Sequence, residues 1–320
     1  MLPDRAPTAE DIRAARERIA PYAHVTPILS SRTLDERTGR RVLLKCENLQ
    51  RVGAFKFRGA CNAVLSLSEE EARRGVVTHS SGNHAQALAL AARLRGIPAR
   101  IVMPRTAPAV KVAAVKGYGA EITFCEPTLE ARTAAADAII AATGAALVHP
   151  YDDPRVIAGQ ATCALEILES GEKPDVLLCP VGGGGLTSGT ALSARYFGGG
   201  VRVVAAEPAG ADDAFRSFTI RSYVPQTGPK TIADGLLTSL GKLTFPIILE
   251  TVSEIVTVSE QSIVEAMRLL WERCKLVVEP SGAVPLAALL EGKGAPEGST
   301  VALILSGGNV DLDRLPWSAA

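Results

Sequence analysis

Short runs of β-branched and other apolar residues alternate with alanine- and leucine-rich stretches along most of this chain. The longer stretches repeat apolar residues at helical spacing, whereas several short runs are apolar throughout, which is typical of strands buried on both faces. Strands are predicted at 42–46, 76–78, 100–103, 121–125, 175–181, 201–206, 255–258 and 301–305, and helices at 84–94, 129–142, 159–168, 186–196 and 261–274. This alternation indicates an α/β fold.

Two polar segments interrupt the alternation and predict a domain boundary at each. Residues 68–75 are strongly polar, and residues 149–154 combine prolines with aspartates, which favours a turn. We therefore expect a small domain of residues 75–152 inserted in a large domain built from residues 1–74 and 153–320. The cleft between two such domains is the default position for a ligand site.

The composition excludes several functional classes. The 34 Lys and Arg residues equal the 34 Asp and Glu residues, so the chain has no basic surplus for a nucleic-acid backbone. No stretch approaches the roughly 18 uncharged residues of a membrane span. The first residues lack the apolar core of a secretory signal, so the cytoplasm is the expected compartment. The six cysteines include no Cys-x-x-Cys pair and are expected to be reduced core residues.

Four consecutive glycines, Gly182, Gly183, Gly184 and Gly185, follow a predicted strand and precede a predicted helix. The backbone N–H groups of such a turn can converge on a phosphate, and the helix dipole adds a favourable field. A flexible turn without a ligand explains the glycines equally well. A dinucleotide fingerprint does not fit, because its third glycine would fall on Thr187 or Ser188, and no P-loop sequence follows.

Lys56 lies between Phe55 and Phe57 near a predicted helix start. A lysine in apolar surroundings loses proton affinity, and its neutral amine can form a Schiff base with a carbonyl compound. Taken alone, the segment also fits a surface lysine whose aliphatic stem packs along the protein.

Two further polar turns follow predicted strands. Ser80-Ser81-Gly82-Asn83-His84 offers hydroxyls, an amide and free N–H groups at a helix start, and Ser306-Gly307-Gly308-Asn309 follows an apolar strand. Such groups can bind a carboxylate or a ring hydroxyl, or they can simply cap a helix. Open α/β sheets bind ligands at the carboxyl ends of their strands, so these turns are expected near one site.

In this order, the motifs resemble those of the fold-type II pyridoxal-phosphate (PLP) enzymes, most closely the serine racemase and serine/threonine dehydratase branch. The resemblance extends from Thr26-Pro27 to Asn309-Val310-Asp311. It implies a fold of the tryptophan synthase beta type, with two open twisted sheets flanked by helices and the cofactor in the cleft. It also implies a homodimer with a mobile small domain that acts on a small amino acid.

The resemblance assigns a role to each motif. Lys56 would hold PLP covalently, Asn83 would bond its 3-hydroxyl, and the glycine loop would bind its phosphate. Ser306 would face the pyridine nitrogen, where a hydroxyl favours racemisation or loss of a β-hydroxyl over transamination. The implied cofactor residues are Phe55, Lys56, Asn83, Gly182, Gly183, Gly184, Gly185, Leu186, Gly235, Glu279, Ser306 and Gly307.

Ser81 separates the racemase-like enzymes from ordinary threonine dehydratases. The latter have a loop similar to Ser-Ala-Gly-Asn-His, whereas this chain has Ser-Ser-Gly-Asn-His. In the racemase-like enzymes the second serine acts as an acid/base opposite the lysine. With Lys56 and Ser81 on opposite faces of the substrate, a proton can leave from one side and return from the other. Lys56 and Ser81 are therefore the expected catalytic residues. The alternative role for Ser81 is a helix N-cap.

The substrate residues implied by the resemblance are Ser80, Ser81, Asn83, His84, Arg132 and Thr238. Arg132 fits a surface charge equally well. If its guanidinium reaches the cleft, its paired donors suit a second carboxylate, as in 3-hydroxyaspartate.

A divalent cation is a second implied ligand. The resemblance assigns it to Glu207, the carbonyl of Ala211, and Asp213, which form a hard oxygen site for Mg²⁺ or Ca²⁺, with Mn²⁺ as a third candidate. On spacing alone, a solvated acidic turn fits these residues better.

Some positions depart from the animal serine racemases: Ala54 replaces a serine, and Tyr151 stands where an asparagine is expected. The nucleotide pocket of the family is matched at four positions and differs at three, which argues against ATP as an effector. The matched positions are Gln86, Tyr118, Lys275 and Asn309, and the differing ones are Arg32, Arg51 and Val52.

The leading hypothesis is a PLP-dependent serine racemase/dehydratase that converts L-serine into D-serine, into pyruvate and ammonia, or into both. The alternative within the family is an L-threonine or L-threo-3-hydroxyaspartate ammonia-lyase that releases the 2-keto acid. A PLP-binding sensor without turnover is a rival of another class, against which the joint presence of Lys56 and Ser81 argues. A β-replacing enzyme similar to the cysteine synthases is weaker, because their asparagine loop differs.

Overall fold

The computed structural model describes residues 2–80, 82–107 and 109–318, which contain ten β-strands and thirteen α-helices. The strands are β1 (Ile28–Ser30), β2 (Arg41–Lys45), β3 (Val76–His79), β4 (Ala99–Pro104), β5 (Glu121–Cys125), β6 (Ala146–Leu147), β7 (Val176–Pro180), β8 (Arg202–Pro208), β9 (Glu254–Val258) and β10 (Thr300–Ile304). The helices are α1 (Ala9–Ile19), α2 (Arg32–Thr38), α3 (Lys56–Leu65), α4 (Glu69–Arg74), α5 (Asn83–Arg95), α6 (Ala109–Gly117), α7 (Leu129–Thr143), α8 (Pro154–Glu169), α9 (Gly185–Phe197), α10 (Asp213–Ile220), α11 (Thr244–Thr251), α12 (Glu260–Cys274) and α13 (Pro280–Leu290).

The strands form two sheets. The larger sheet has the order β1-β2-β10-β7-β8-β9, and the smaller one has the order β5-β4-β3-β6. Neighbouring strands run parallel, except that β1 lies antiparallel to β2 at the edge of the larger sheet. The α/β architecture predicted from the alternating pattern is therefore confirmed.

Helices cover both faces of the larger sheet, as strand β10 shows. Leu303 packs into one core cluster together with Leu286 of α13. The next residue, Ile304, packs into a different cluster together with Cys163 of α8. Successive side chains of a strand point to opposite faces, so both faces of β10 are apolar and buried.

The smaller sheet is covered in the same way. Val76 of β3 packs with Leu88 of α5, and Val77 packs with Ala136 of α7 in a separate cluster. No helix among residues 2–80, 82–107 and 109–318 combines the length and apolarity needed to cross a membrane.

The eight predicted strands are all present, with ends that differ by one or two residues. Strands β1 and β6, of three and two residues, are too short to produce a hydrophobic period. Helix α8 begins at Pro154 rather than at 159, because the Asp153 carboxylate accepts a hydrogen bond of 2.8 Å from the N–H of Arg155 and caps the first turn.

A buried ion network joins α3 to β2 and α8. The guanidinium of Arg58 donates to both oxygens of Glu47 at 2.7 and 2.8 Å, and to both oxygens of Glu166 at 2.7 and 2.8 Å. Lys45 donates to Glu166 at 2.6 Å and to the Thr26 carbonyl at 2.7 Å. All four charged side chains are buried, so two cations balance two anions away from water.

The balance of charges decides the ionisation of this network. Burial by itself would raise the pKa of Glu47, but the charge and hydrogen bonds of Arg58, together with the charge of Lys45, hold that pKa below its ordinary value. Glu47 is therefore a carboxylate, and removing any one partner would leave an uncompensated buried charge.

We expect Glu47→Gln to lower the free energy of unfolding by about 3–5 kcal/mol, because Arg58 and Lys45 would then face a single buried anion. Urea unfolding measures the change. Since the folded-state pKa of Glu47 is depressed, the deficit is full at neutral pH and shrinks as acid protonates the wild-type carboxyl.

The control for this experiment is Glu272→Gln, which breaks the surface pair of Glu272 with Arg268 at 3.0 Å. Both side chains of that pair are half exposed, so the variant should lose less than about 1 kcal/mol. Equal small losses in both variants would contradict the role given to the buried network.

Candidate active site

The loop before α3 is attached to the end of β10, and this attachment positions Lys56. The N–H of Phe55 donates to the Ser306 carbonyl at 3.0 Å, and the N–H of Gly308 donates to the Gly53 carbonyl at 2.9 Å. Ala54 pairs with Gly307 in an antiparallel bridge. The first turn of α3 therefore starts directly beside the carboxyl end of β10.

Gly53 is required in this loop for two reasons. Its φ angle is +68°, in the left-handed region that favours glycine. A Cβ atom there would also lie 2.7 Å from Oδ1 of Asn309. A larger residue would push the loop away from the strand end and would move Lys56 with it.

Lys56 is half-buried, and its side chain reaches the turn at 149–153. Its Nζ donates to the Pro150 carbonyl at 2.8 Å and lies 5.1 Å from the ring centroid of Phe55. Burial lowers the pKa of its ammonium to about 8, although the nearby Glu279 carboxylate opposes this shift. The side chain thus has the partly neutral amine that Schiff-base chemistry needs, and it is not a solvated surface lysine.

The glycine loop lies between β7 and α9, against Tyr151 and Leu236. A Cβ atom at Gly182 would lie 2.9 Å from Cα of Leu236, and one at Gly183 would lie 2.3 Å from Cδ1 of Tyr151. Gly184 has a φ angle of +87°. Glycine is therefore required along this loop by its neighbours and its backbone conformation.

The backbone of this loop is arranged to receive an anion. Within the described part of the chain, the N–H groups from Gly182 to Thr187 find no protein acceptor, and they lie at the N-terminus of α9. The hydroxyl of Thr244 donates to the Gly183 carbonyl at 2.8 Å and holds the loop in place. Leu186, the next residue, is buried in the core beneath it.

Asn83 occupies the start of α5 and is held by two partners. Its amide nitrogen donates to Glu279 at 2.8 Å, and its amide oxygen accepts from Asn309 at 2.9 Å. Asn309 also donates to the Val52 carbonyl at 2.6 Å. The Asn309 side chain, which the family resemblance assigns to a nucleotide pocket, therefore joins the asparagine loop to the loop before Lys56.

Glu279 is buried beside Gly307, where its backbone N–H donates to the Gly307 carbonyl at 3.0 Å. Burial raises the pKa of its carboxyl to about 8, with a further contribution from Asp234, while Asn83 opposes the shift. Ser306 is buried at the end of β10. Gly235 is exposed, and its N–H donates to the Ser281 hydroxyl at 3.0 Å.

Ser80 and His84 flank the asparagine loop, whereas Ser81 lies outside the described residues. The N–H of Ser80 donates to the Val102 carbonyl at 3.1 Å. Nε2 of the buried His84 lies 3.1 Å from the Val148 carbonyl and must donate to it, and burial lowers the pKa of the ring to about 3. The neutral His84 ring has no second N–H, so any carboxylate contact at this position would use its backbone N–H.

The remaining two substrate candidates, Arg132 and Thr238, differ in exposure and in the residues beside them. Arg132 is half-buried on α7, and it is close enough to His79 for its charge to add to the lowering of that ring's pKa, which burial dominates. Thr238 is exposed, and its side chain hydrogen-bonds to Tyr151. Arg132 therefore lies near the loop that begins at Ser80, as a substrate contact would require.

The turn at 149–153 contributes site residues that the sequence pattern indicates only as a domain boundary. The His149 ring lies edge-on to Tyr151 at 4.6 Å and to His79 at 5.9 Å between centroids. Burial lowers the pKa of His149 to about 4, so this ring is neutral at physiological pH. Three of the four histidines of the chain lie in this region, a concentration that the sequence alone could have revealed only with the sheet order known.

The cation candidates form a second buried cluster at the end of β8. The Glu207 carboxylate accepts from the N–H groups of Ala214 and Phe215 at 3.2 and 2.9 Å, and burial raises its pKa to about 9. One oxygen of Asp213 accepts from Leu240 at 3.2 Å, and the other has no partner among the described residues. Ala211 is buried next to them.

The cation candidates offer only two side-chain donors, the carboxylates of Glu207 and Asp213, together with the Ala211 carbonyl. The described residues contain no group of three or more His, Cys, Asp or Glu side chains placed to hold a metal ion. Two carboxylates and one carbonyl would therefore need water as the remaining ligands. The unpaired oxygen of Asp213 and the absence of a described ion pair to either carboxylate fit a hard cation.

The chain is similar to known proteins over nearly its whole length. Residues 19–307 match the family model described as pyridoxal-phosphate dependent enzyme. The chain is 51% identical over 312 residues to the beta-hydroxyaspartate dehydratase of Paracoccus denitrificans, covering 98% of this chain and 99% of that one. It is 48% identical over 320 residues to the serine racemase of Dictyostelium discoideum, with 98% of each chain covered.

The solved structures agree with the sequence comparison. The crystal structure of the Dictyostelium discoideum serine racemase superposes with a TM-score of 0.92 at 48% identity, covering 96% of this chain and all of that one. The site residues implied by the family fit PLP on local grounds as well. The desolvated Lys56 amine and the glycine turn, whose N–H groups find no acceptor among the described residues, both lie next to Tyr151.

We expect the PLP-free protein to take up PLP at a rate that follows the neutral fraction of Lys56. The rate should rise about tenfold per pH unit in acid and level off above about pH 8, because burial lowers the pKa of Lys56 to about 8. Stopped-flow measurement of the yellow absorbance tests this. A rate that still rises beyond pH 9.5 would show an ordinary, solvated lysine.

Proposed function

Because this chain belongs to the pyridoxal-phosphate dependent enzymes, we propose that it removes the Cα proton of L-serine and forms D-serine together with pyruvate and ammonia. The observation that carries the proposal is the desolvated amine of Lys56. Lys56 begins α3, and the loop before this helix is attached to the end of β10. The joint presence of Lys56 and Ser81 argues against a PLP-binding protein without turnover, because binding alone needs no second proton-transfer residue.

The residues around Lys56 suit PLP. The glycine loop from Gly182 to Gly185 would hold the phosphate, Asn83 would bond the 3-hydroxyl, and Ser306 would lie at the pyridine nitrogen. The bound cofactor supplies an electron sink for the charge left at Cα. Phe55, Leu186, Gly235, Glu279 and Gly307 would complete its surroundings, and each of them lies in or beside the loops described above.

Two side chains would move the protons. Lys56 removes the Cα proton from one face of the substrate, and its amine is partly neutral at physiological pH, as a base must be. Ser81, whose role rests on the sequence motif, would return a proton to the opposite face. The N–H groups of Gly82, Asn83 and His84 lie at the start of α5 and would bind the substrate carboxylate.

A second candidate activity is the release of ammonia from L-threo-3-hydroxyaspartate, in which the water lost by elimination is taken up again when the imine is hydrolysed to the 2-keto acid. Arg132 favours it, because a half-buried guanidinium close to His79 suits a carboxylate on the substrate side chain. The 51% identity to a protein named beta-hydroxyaspartate dehydratase supports the same direction. L-threonine is the third substrate to compare, and Thr238 lies beside Tyr151 where a β-substituent would be recognised.

The resemblance also implies a homodimer, and the polar segments 68–75 and 149–154 predict a division into residues 1–74 plus 153–320 and residues 75–152. We keep both as proposals. Exposed apolar side chains support a subunit contact: Val25 is 74% exposed, Leu49 47% and Val277 45%. They lie close together, because His24 contacts the Leu49 carbonyl and Asn48 contacts the Val277 carbonyl. Sedimentation velocity of the purified protein distinguishes a dimer from a monomer.

The activity is tested in one reaction that contains purified protein, PLP, Mg²⁺ and L-serine. Chiral chromatography measures D-serine, and pyruvate is measured in the same tube. We expect both products, and Ser81→Ala should lower D-serine formation at least about tenfold more than pyruvate formation, because elimination needs no second-face acid. A yellow protein that forms no D-serine from L-serine and no 2-keto acid from any of the three substrates would overturn the proposed function.

The same assay separates the two candidate substrates. Arg132→Met should lower kcat/KM for L-threo-3-hydroxyaspartate by about 10- to 100-fold, the usual effect of losing a charged hydrogen bond to a carboxylate. The value for L-serine should change by less than about threefold, because L-serine has no second carboxylate. Equal losses on both substrates would contradict a specificity role for Arg132.

We further propose that Glu207, the Ala211 carbonyl and Asp213 bind Mg²⁺, Ca²⁺ or Mn²⁺. A cation would neutralise two buried carboxylates, so addition of the ion at 100 times its Kd should stabilise the EDTA-treated protein by about 2.7 kcal/mol. Thermal unfolding measures this increment. Asp213→Asn should abolish the increment, whereas Asp212→Asn, which alters the neighbouring pair with Arg216, should retain it. If none of the three ions raises the Tm of the wild type, this site does not bind a metal.

A further inference from the structure

Tyr151 lies between the glycine loop and Lys56, and no role in the proposed reaction has yet been given to it. Its ring occupies the space that a Cβ atom of Gly183 would fill, and its own Cβ lies 2.9 Å from the position of a Cβ at Gly185. The Nζ of Lys56 lies 6.0 Å from the centroid of the ring. Tyr151 therefore extends from the expected phosphate position to the reacting amine.

The backbone on both sides of Tyr151 is held firmly. The carboxylate of Asp152 accepts from the N–H groups of Lys242, Leu243 and Thr244 at 3.0, 2.8 and 3.2 Å. On the other side, Nδ1 of His149 accepts from the N–H of Asp152 at 2.9 Å. The ring is thus positioned by hydrogen bonds that do not involve its own hydroxyl.

The hydroxyl of Tyr151 contacts a residue that the family resemblance assigns to the substrate. Its hydrogen-bond partner is Thr238, the exposed residue that the family resemblance assigns to the substrate side chain. Burial, assisted by the charge of Asp152, raises the pKa of Tyr151 to about 12, so the phenol keeps its proton at physiological pH. A threonine hydroxyl can accept that proton in a hydrogen bond and can turn to donate to a ligand.

The neighbouring histidines are poorer proton donors. The N–H of His84 is bound to the Val148 carbonyl, and the rings of His84 and His149 are neutral with pKa values of about 3 and 4. Lys56 is occupied with the Cα proton in the proposed reaction. The raised pKa of Glu279 also leaves its carboxyl protonated at neutral pH, but that carboxyl lies against Asn83 and Gly307. The Tyr151 phenol is therefore the oxygen acid of the described residues beside Thr238.

We propose that the Tyr151 hydroxyl donates its proton to the departing β-hydroxyl of the substrate, with Thr238 orienting it, an inference that rests on the proposed function. The Cβ–O bond breaks, and its electron pair leaves with the oxygen. The phenol proton joins that oxygen to form water. The electron pair left at Cα by proton removal becomes the new bond between Cα and Cβ, and solvent water returns a proton to the phenolate.

Racemisation breaks no bond to the β-oxygen, so this role predicts a separation of the two reactions. Tyr151→Phe keeps the ring against Gly183 and removes only the hydroxyl. Pyruvate formation from L-serine should fall at least about 100-fold, the lower end of the usual contribution of a general acid. D-serine formation should change by less than about threefold, which is the reverse of the pattern expected for Ser81→Ala.

A change of leaving group provides a second readout. β-Chloro-L-alanine loses chloride, which departs without a proton, so Tyr151→Phe should form pyruvate from it within about threefold of the wild-type rate. Thr238→Val should show a smaller loss on L-serine than Tyr151→Phe. Tyr196→Phe, which removes a remote hydroxyl bonded to the Pro7 carbonyl at 3.3 Å, should leave all rates unchanged.

The outcomes separate this inference from the proposed function. If the wild type forms no D-serine and eliminates none of L-serine, L-threonine and L-threo-3-hydroxyaspartate, both the function and the inference are overturned. If it forms D-serine but eliminates none of them, only the inference is overturned. If the wild type is active and Tyr151→Phe loses L-serine and β-chloro-L-alanine turnover in equal measure, Tyr151 has a structural role only. If Tyr151→Phe forms the 2-keto acid from the preferred β-hydroxy substrate at an unchanged rate, the inference is overturned while the function stays intact.

Discussion

A buried network of two cations and two anions holds the first turn of α3, and with it Lys56, in place. Arg58 lies one helical half-turn after Lys56, and its guanidinium is bound on both sides by the carboxylates of Glu47 and Glu166. A charge buried without a partner would be far more costly than any loss of packing, so α3 has one acceptable position against β2 and α8. The position of the Lys56 amine follows from this constraint.

The second constraint is the contact between the loop before α3 and the turn after β10. Gly53 and Gly307 allow the two backbones to approach, and Asn309 connects both to the asparagine loop at the start of α5. Groups from three strand ends therefore meet in a space with little water. The same loss of water lowers the pKa of Lys56 and raises that of Glu279, so the architecture and the chemistry have a common physical origin.

Some features of the structure can be predicted from the sequence, and others cannot. The eight longer strands and the glycine loop could be predicted, because apolar runs and missing side chains constrain the backbone locally. The start of helix α1 is also marked locally in the sequence, by the capping box of Thr8 and Asp11. Tyr151 appeared only as a departure from a family pattern within a predicted turn, because its importance depends on lying against Gly183, far away in the chain.

The sequence by itself determined the α/β alternation, the glycine turn after β7 and the family, since these depend on short-range periodicity and on motifs in series. The tertiary structure alone decided which groups are partners. Lys56 donates to a carbonyl 94 positions away, and Asn83 donates to a carboxylate 196 positions away. Hydrogen-bond partners and desolvation set the pKa values of these groups, and both depend on which distant segments the fold brings together, which no local pattern in the chain records.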